Sequence, residues 1–269
     1  MKIMLMTDLE GVAGVLNAVD WIHPDSRYYD QAKELLTAEV NAVVEGFAAA
    51  GAEEIVVVDG HGPGALNPAL LDRRAWLSRG AFQPVWPFGL DRSFDAYSCV
   101  GQHAKSRTPF SHLTHTGSFA CLSMAVNGYE IGEYGEMALC ARELGVPSIF
   151  AAGEEAFTRE AAELTPGVVT VAVKKGVLDD TFDDYDAYSY ERAKASAIHL
   201  APARARELLR EGAFQAVQKF QARPASFRYR VFTAPYTLVI RTRPAEGRPP
   251  RTSTRIHPDS FIELMNAGG

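Results

Sequence analysis

The chain opens with a short, largely apolar run, residues 1–7, that stops at two carboxylates, Asp8 and Glu10. A short apolar run bounded by a turn is typical of a buried strand. Residues two apart on a strand point to the same side, so both carboxylates leave the end of this strand together. Two negative charges so close are unfavourable unless a cation or hydrogen-bond donors compensate them. The opening of the chain therefore predicts a divalent metal site at the end of the first strand.

Apolar runs alternate with helical patterns over most of the chain. The spacing of apolar residues predicts helices at 28–50, 133–144 and 201–219, and strands at 2–7, 54–59, 96–100, 147–151 and 168–173. Strands separated by helices are typical of an α/β fold with a mostly parallel sheet flanked by helices, and we expect that fold here. Asn127-Gly128, between two apolar runs, predicts a hairpin that adds antiparallel edge strands.

The pattern changes after the helix predicted at 201–219. The remaining chain is predicted to contain strands at 227–232 and 236–243, a Gly/Pro/Arg loop at 244–250 and a short helix at 261–266. The stretch 241–255 mixes basic residues with prolines and is interpreted as a solvated loop. We expect a metal-binding catalytic α/β domain over residues 1–205 and a smaller C-terminal α+β subdomain over residues 206–269.

Charge and composition narrow the class of protein. The formal net charge of −6 leaves no basic excess with which to bind nucleic acid. No apolar stretch approaches the ~18 residues that cross a bilayer, and the N-terminus lacks the pattern of a signal peptide. The three cysteines have no paired spacing, as expected of reduced thiols. These features predict a cytoplasmic protein with no nucleic-acid and no membrane partner.

Further potential ligands follow other predicted elements. His61 and His103 come after two predicted strands, and Glu133 begins a predicted helix. Because the carboxyl ends of parallel strands meet at one edge of a sheet, we expect these side chains near Asp8 and Glu10. Taken singly, each has an ordinary structural explanation. Together, carboxylates and imidazoles are typical of catalytic zinc, and five groups exceed the four of a structural site. The set indicates two metals that share a carboxylate.

Two other groups of polar residues are less informative. His112 and His115 lie three apart in a hydroxyl-rich loop. Surface exposure is the ordinary explanation for both, although either could act as an acid, a base or an oxyanion donor without binding metal. Lys174 and Lys175 are interpreted as a solvated pair. No phosphate loop, dinucleotide-binding motif or serine-nucleophile signature is present.

The motifs that carry these residues resemble those of the M55 family of D-aminopeptidases, the DppA-like proteins. The opening resembles the family's D-x-E-G-[IV]-[SA]-G, and the similarity continues in order over about residues 1–210 through Asp59-Gly60-His61, Gly101-Gln102-His103-Ala104, His115, Asn127-Gly128 and Gly132-Glu133-Tyr134-Gly135. The resemblance implies a zinc-dependent aminopeptidase that acts on short peptides with an N-terminal D-amino acid, such as D-Ala-D-Ala.

The same resemblance implies how the site and the assembly are built. It places two Zn²⁺ ions per subunit on Asp8, Glu10, His61, His103 and Glu133, and it makes His115 the catalytic residue. It also implies a homo-oligomer, a decamer built from two pentamers. These are the five ligand candidates that the strand ends and the helix start indicate independently.

Two alternatives of other classes stay open. A two-metal enzyme for another bond, such as a phosphoesterase, would use the same ligands. Only Lys105 and Arg107 lie near the ligand segments to hold a phosphate, which counts against it. A non-enzymatic metal-binding module is the second alternative, and the five-ligand set with a spare histidine counts against that.

Overall fold

The computed structural model describes residues 1–245 and 248–267. Within these ranges the strands are β1 (Lys2–Thr7), β2 (Glu54–Asp59), β3 (Ala75–Ser78), β4 (Ala96–Gln102), β5 (Cys121–Val126), β6 (Tyr129–Glu130), β7 (Ser148–Glu154), β8 (Val169–Gly176), β9 (Ala197–His199), β10 (Tyr236–Thr242) and β11 (Thr252–His257). The α-helices are α1 (Ala18–Trp21), α2 (Tyr29–Ala49), α3 (Glu133–Leu144), α4 (Glu155–Leu164), α5 (Ala187–Ala193), α6 (Pro202–Ala222) and α7 (Phe261–Asn266).

The main sheet has seven strands in the order β3-β2-β1-β4-β7-β8-β9. Its strands pair in parallel, except that β9 runs antiparallel to β8. β1 lies between β2 and β4 and is buried from Ile3 to Thr7, which explains why it is apolar on both faces. The predicted α/β fold with a mostly parallel sheet flanked by helices is confirmed.

The sheet separates two hydrophobic cores, and β1 contributes to both. Ile3 and Leu5 pack into one core with residues of α2 and α6. Met4 and Met6 pack into the other with residues of α3, α4 and α7. This alternation is the two-residue period of a strand. Both faces of the sheet are therefore covered, and its carboxyl edge is left for polar groups.

A second, antiparallel sheet has the order β11-β10-β5-β6. Asn127 and Gly128 join β5 to β6 with φ of 50° and 81°, the left-handed pair that a two-residue hairpin requires. The predicted hairpin is present, but it belongs to this sheet and not to an edge of the main one. The boundary predicted after residue 205 lies in the first turn of α6, and the division into two units stays a prediction.

Two expectations for the C-terminal part are wrong. Residues 227–232 form no strand, because the N–H groups of Arg228 and Arg230 donate to the carbonyls of Pro166 (2.9 Å) and Leu164 (2.7 Å) instead of to a neighbouring strand. The stretch 241–255, interpreted as a solvated loop, contains the end of β10 and most of β11, which pair antiparallel.

The loop predicted at 244–250 includes Glu246 and Gly247, which lie outside the described residues. Among the helices that the structure describes, none has the length and apolarity needed to span a membrane.

Candidate metal centre

Five predicted ligands meet at the carboxyl edge of the main sheet. Asp8 and Glu10 follow β1, His61 follows β2, His103 follows β4, and Glu133 is the first residue of α3. Because β1, β2 and β4 are adjacent and parallel, their ends converge, as expected of open α/β sheets. All but Glu133 are buried.

Asp8 stands between the two histidines. His61 Nδ1 lies 3.4 Å from Asp8 Oδ1 and 3.3 Å from Glu10 Oε2. On the other side, His103 Nε2 lies 3.2 Å from Asp8 Oδ2 and 3.5 Å from Glu133 Oε1. Each oxygen of Asp8 therefore faces a different imidazole. This is the placement required of a carboxylate that bridges two metal ions.

Backbone carbonyls orient both imidazoles. Nε2 of His61 donates to the carbonyl of Ile22 at 2.9 Å, and Nδ1 of His103 donates to that of Ala104 at 2.9 Å. A carbonyl oxygen only accepts, so each of these nitrogens carries a proton. The opposite nitrogen of each ring is left facing the carboxylates. Metal-binding histidines are commonly oriented by such a bond.

The charges of the cluster are strongly coupled. Burial lowers the pKa of His61, but the carboxylates of Glu10 and Asp8 outweigh burial and raise it to about 12. Burial raises the pKa of Asp8, yet the imidazoles of His103 and His61 close to its two oxygens hold it well below its usual range. In the same way, His103 outweighs burial and lowers the pKa of Glu133 to about 2. The carboxylates are thus kept ionised in a buried site.

Two buried atoms indicate that these residues fit a divalent ion. Glu10 Oε2 and His103 Nε2 have no hydrogen-bond partner among the described residues. Potential ligand atoms within 4.8 Å of one another form two groups, one of Asp8, Glu10 and His103 and one of His103, His115 and Glu133. A set of carboxylates and imidazoles suits zinc. Such an ion would replace the protons that now link acid and base.

His115, the predicted catalytic residue, adjoins this cluster. Its ring stacks on that of His103 with centroids 4.1 Å apart, and its Nε2 lies 3.6 Å from Glu133 Oε1. Nδ1 donates to the carbonyl of Leu113 at 3.0 Å, so Nε2 is the atom presented to the cluster. Position alone permits two roles, a metal ligand or an acid–base group beside the metals.

A cavity of about 430 Å³ opens onto the cluster. Asp8, Glu10, His61, His115 and Glu133 form its polar wall. Apolar side chains make up much of the remaining lining and include Met6, Ile22, Trp86, Phe88, Phe119 and Met137. Apolar walls with a few convergent polar groups are typical of a site for a small molecule or a short peptide.

Comparison with known proteins identifies the family. The M55 peptidase family, described as D-aminopeptidase, matches residues 1–247. The chain belongs to this family. A D-aminopeptidase of Bacillus subtilis (strain 168) is 28% identical over 222 residues, which cover 81% of this chain and 74% of that protein. The resemblance inferred from the motifs is therefore confirmed.

A solved structure agrees with the fold of this M55 protein. It is that of the zinc-dependent D-aminopeptidase DppA from Bacillus subtilis, a self-compartmentalizing protease. The two superpose with a TM-score of 0.83 over 99% of this chain and 95% of that chain, at 23% sequence identity.

Close backbone packing positions the carboxylates of this M55 site. Gly11 N–H donates to the carbonyl of Gly101 at 2.7 Å. A Cβ on Gly101, whose φ is +73°, would lie 2.0 Å from the carbonyl oxygen of Asp8. A side chain at this position would push the Asp8 segment away from β4, so only glycine fits.

Four side chains hold the loop that follows the carboxylates. They bond consecutive backbone groups of residues 13–16: Glu39 accepts from Ala13 N–H (2.9 Å), His199 accepts from Gly14 N–H (3.1 Å), Lys174 donates to the Val15 carbonyl (3.2 Å) and His112 donates to the Leu16 carbonyl (3.1 Å). These side chains come from four separate segments of the chain. The loop is thereby fixed from several directions.

Two interpretations of the sequence are corrected by this network. Lys174 is 3% exposed and not part of a solvated pair, whereas Lys175 is exposed. Burial lowers the pKa of Lys174 to about 8, although Glu154 and Glu39 oppose this. His112 is fully buried, and burial lowers its pKa to about 2. Neither residue is on the surface, because each bonds a backbone group distant in sequence.

Glu136 is a cavity residue that the sequence did not indicate. It is 5% exposed and lines the cavity one helical turn beyond Glu133. Burial and the Glu133 carboxylate raise its pKa well above the usual range. Residues 133, 136 and 137 are spaced so that they lie on one face of α3, and all three line the cavity. This helical spacing from Glu133 is the sequence pattern that could have indicated Glu136.

Proposed function

We propose that this M55 protein is a zinc-dependent aminopeptidase that hydrolyses short peptides with an N-terminal D-amino acid, such as D-Ala-D-Ala. The observation that carries the proposal is the position of Asp8. Each of its oxygens faces a different imidazole, and the residue lines a cavity of about 430 Å³. Membership of the D-aminopeptidase family and the zinc dependence of the DppA relative support it.

Five residues would hold two zinc ions per chain. Asp8, Glu10 and His61 would bind one ion, and Asp8, His103 and Glu133 the other, because these are the groups that face one another. Bound zinc would lower the pKa of a water toward neutrality and polarise the peptide carbonyl.

His115 would act on the substrate and not on the metal. Its Nδ1 is held by the Leu113 carbonyl, so Nε2 is the atom that gains or loses a proton at the cavity. In its protonated form it would donate to the oxygen that becomes negative as the carbonyl is attacked. The ring of Phe119 packs against the imidazole of His115, with the two centroids 4.3 Å apart.

The assembly proposed is a homo-oligomer, specifically a decamer, located in the cytoplasm. The DppA relative is described as a self-compartmentalizing protease, which supports an enclosed assembly of identical chains here. Enclosure would exclude folded proteins and restrict the substrates to short peptides.

The phosphoesterase alternative is not favoured by the cavity. No Lys or Arg occurs among the described residues that line it, whereas phosphate sites usually place such side chains around the anion.

The test uses zinc-reconstituted protein with matched substrates. We expect hydrolysis of D-Ala-D-Ala, little hydrolysis of L-Ala-L-Ala, and none of N-acetyl-D-Ala-D-Ala or p-nitrophenyl phosphate. Elemental analysis should find close to two zinc ions per chain. Preference for the L-dipeptide, or turnover of the phosphomonoester alone, would contradict the proposal.

A further inference from the structure

One face of α3 carries a carboxylate that the metal centre does not account for. Glu133, Glu136 and Met137 all line the cavity, and their spacing places them on the same side of the helix. Glu133 is a proposed ligand. The close acid–imidazole contacts that join Asp8, Glu10, His61, His103, His115 and Glu133 to one another do not include Glu136. It therefore faces the cavity without belonging to the metal cluster.

Two other buried glutamates, both outside the metal cluster, accept hydrogen bonds from backbone N–H groups. Glu154 accepts from the N–H groups of Ala104 (3.4 Å) and His112 (3.0 Å). Glu160 accepts from the N–H groups of Lys105 (2.9 Å) and Gly132 (3.1 Å). These bonds compensate burial, as is usual for carboxylates in protein interiors.

Glu136 has a different environment. Its carboxyl group is buried next to the negative charge of Glu133, and no hydrogen bond to it is seen among the described residues. The described part of the cavity wall also lacks a Lys or Arg that could pair with it. Burial and the Glu133 carboxylate raise the pKa of this group, so it is a cation bound beside it that would favour its ionised form.

The rest of the wall suits a small organic cation. Trp86, Phe88, Tyr97 and Phe119 line the same cavity, and the rings of Trp86 and Phe88 are in edge contact with centroids 5.0 Å apart. Aromatic rings attract ammonium groups through the negative charge of their faces. A carboxylate and several aromatic rings in one cavity form a typical ammonium-binding environment.

We propose that Glu136 binds the N-terminal ammonium group of the peptide substrate. This rests on the proposed aminopeptidase function, which requires the free amine next to the bond that is cleaved. The amine nitrogen is only two bonds from the carbonyl carbon under attack, so its anchor must lie beside the metal centre. Glu136 is three residues from Glu133 along α3, a rise of about 4.5 Å, and meets this requirement.

The substitution Glu136→Gln keeps the shape of the side chain and removes its charge. An ion pair or hydrogen bond with a charged group of this kind should account for about a 10- to 100-fold change in affinity. We expect kcat/KM for D-Ala-p-nitroanilide to fall by that factor in zinc-loaded Glu136→Gln. The propionyl analogue, which lacks the amine, should be an equally poor substrate of the wild type and of Glu136→Gln.

A binding measurement does not depend on turnover. D-alaninol carries the amine but no bond that can be hydrolysed, and 1-propanol is its control without the amine. Calorimetry should show D-alaninol binding to the zinc-loaded wild type and about 10- to 100-fold weaker binding to Glu136→Gln. Glu136→Asp, which keeps the charge, should recover part of the affinity. Glu163→Gln, an exposed change on α4, should behave as the wild type does.

Several outcomes would overturn the inference. Loss of zinc in Glu136→Gln would make Glu136 a ligand. A lower melting temperature of the metal-free variant would indicate a structural role, whereas we expect an equal or higher one because glutamine removes the repulsion between two neighbouring carboxyl groups, Glu133 and Glu136. A loss confined to D-Lys-D-Ala, with D-Ala-D-Ala unaffected, would assign Glu136 to a side-chain ammonium. If the wild type cleaves no peptide but binds D-alaninol through Glu136, the aminopeptidase proposal fails and the ammonium site remains.

Discussion

Replacing Lys174 by Met tests whether the network behind the metal centre stabilises the protein. The Lys174 side chain is 3% exposed, and its Nζ donates to the carbonyl of Val15, seven residues after Asp8. Methionine keeps most of the apolar stem but removes the charge and the donor. The Val15 carbonyl would lose its hydrogen bond, and Glu154 and Glu39 would lose the nearby positive charge.

The expected loss follows from the bond that is removed. Hydrogen bonds to charged groups contribute about 1.5–3 kcal/mol to stability. A protein of this size loses about 2–4 °C in melting temperature per kcal/mol, so the melting temperature should fall by about 3–12 °C at pH 7. The matched control is Lys175→Met, an exposed neighbour on the same strand, for which a change within about 0.5 kcal/mol is expected.

The assay is thermal unfolding followed by circular dichroism, with all proteins zinc-loaded and at one concentration, because oligomers melt in a concentration-dependent way. A real loss should lower the melting temperature by at least about 2 °C for each kcal/mol. If Lys174→Met melts within about 1 °C of Lys175→Met, the hydrogen bond to Val15 stabilises the protein too little to position the loop, and the expected role of Lys174 is wrong.

The remaining predictions concern the metal centre. His115→Ala should keep its zinc and its fold but lose about 10²–10³ in kcat with a smaller change in KM, whereas His61→Ala should lose zinc; if elemental analysis finds that His115→Ala sheds zinc equally, His115 is a ligand. Asp8→Ala should lose metal from both sites and all activity, and a variant that retains two zinc ions per chain and near-normal turnover would show that Asp8 does not bridge.

Much of the fold follows from patterns that depend on neighbouring residues alone. β1, β2 and β4 are buried and apolar enough to be recognised as short runs. Because parallel strands end at one edge, the side chains after these strands could be expected to meet, and Asp8, His61 and His103 do. Local patterns thus suffice where burial and direction are properties of a single strand.

Local patterns fail where a distant segment decides the structure. β11 has mostly exposed side chains and so lacks an apolar period, yet β10 pairs with it. Residues 227–232 contain apolar and aromatic side chains typical of a strand, but their N–H groups meet the end of α4 instead of a strand. Pairing is a tertiary property, and it overrides strand propensity in both cases.

Local sequence patterns also fail to predict which charged residues are buried. The hydrogen bonds of these residues distinguish a structural role from a functional one. Lys174 and Glu154 are charged residues in the interior, and their bonds to backbone groups of distant loops explain why they are there. Glu136 is 5% exposed and lines the cavity next to Glu133, and no hydrogen bond to its carboxyl group is described. Burying an unpaired carboxylate is unfavourable for the free protein. Its position is therefore best explained by a partner that arrives with the substrate.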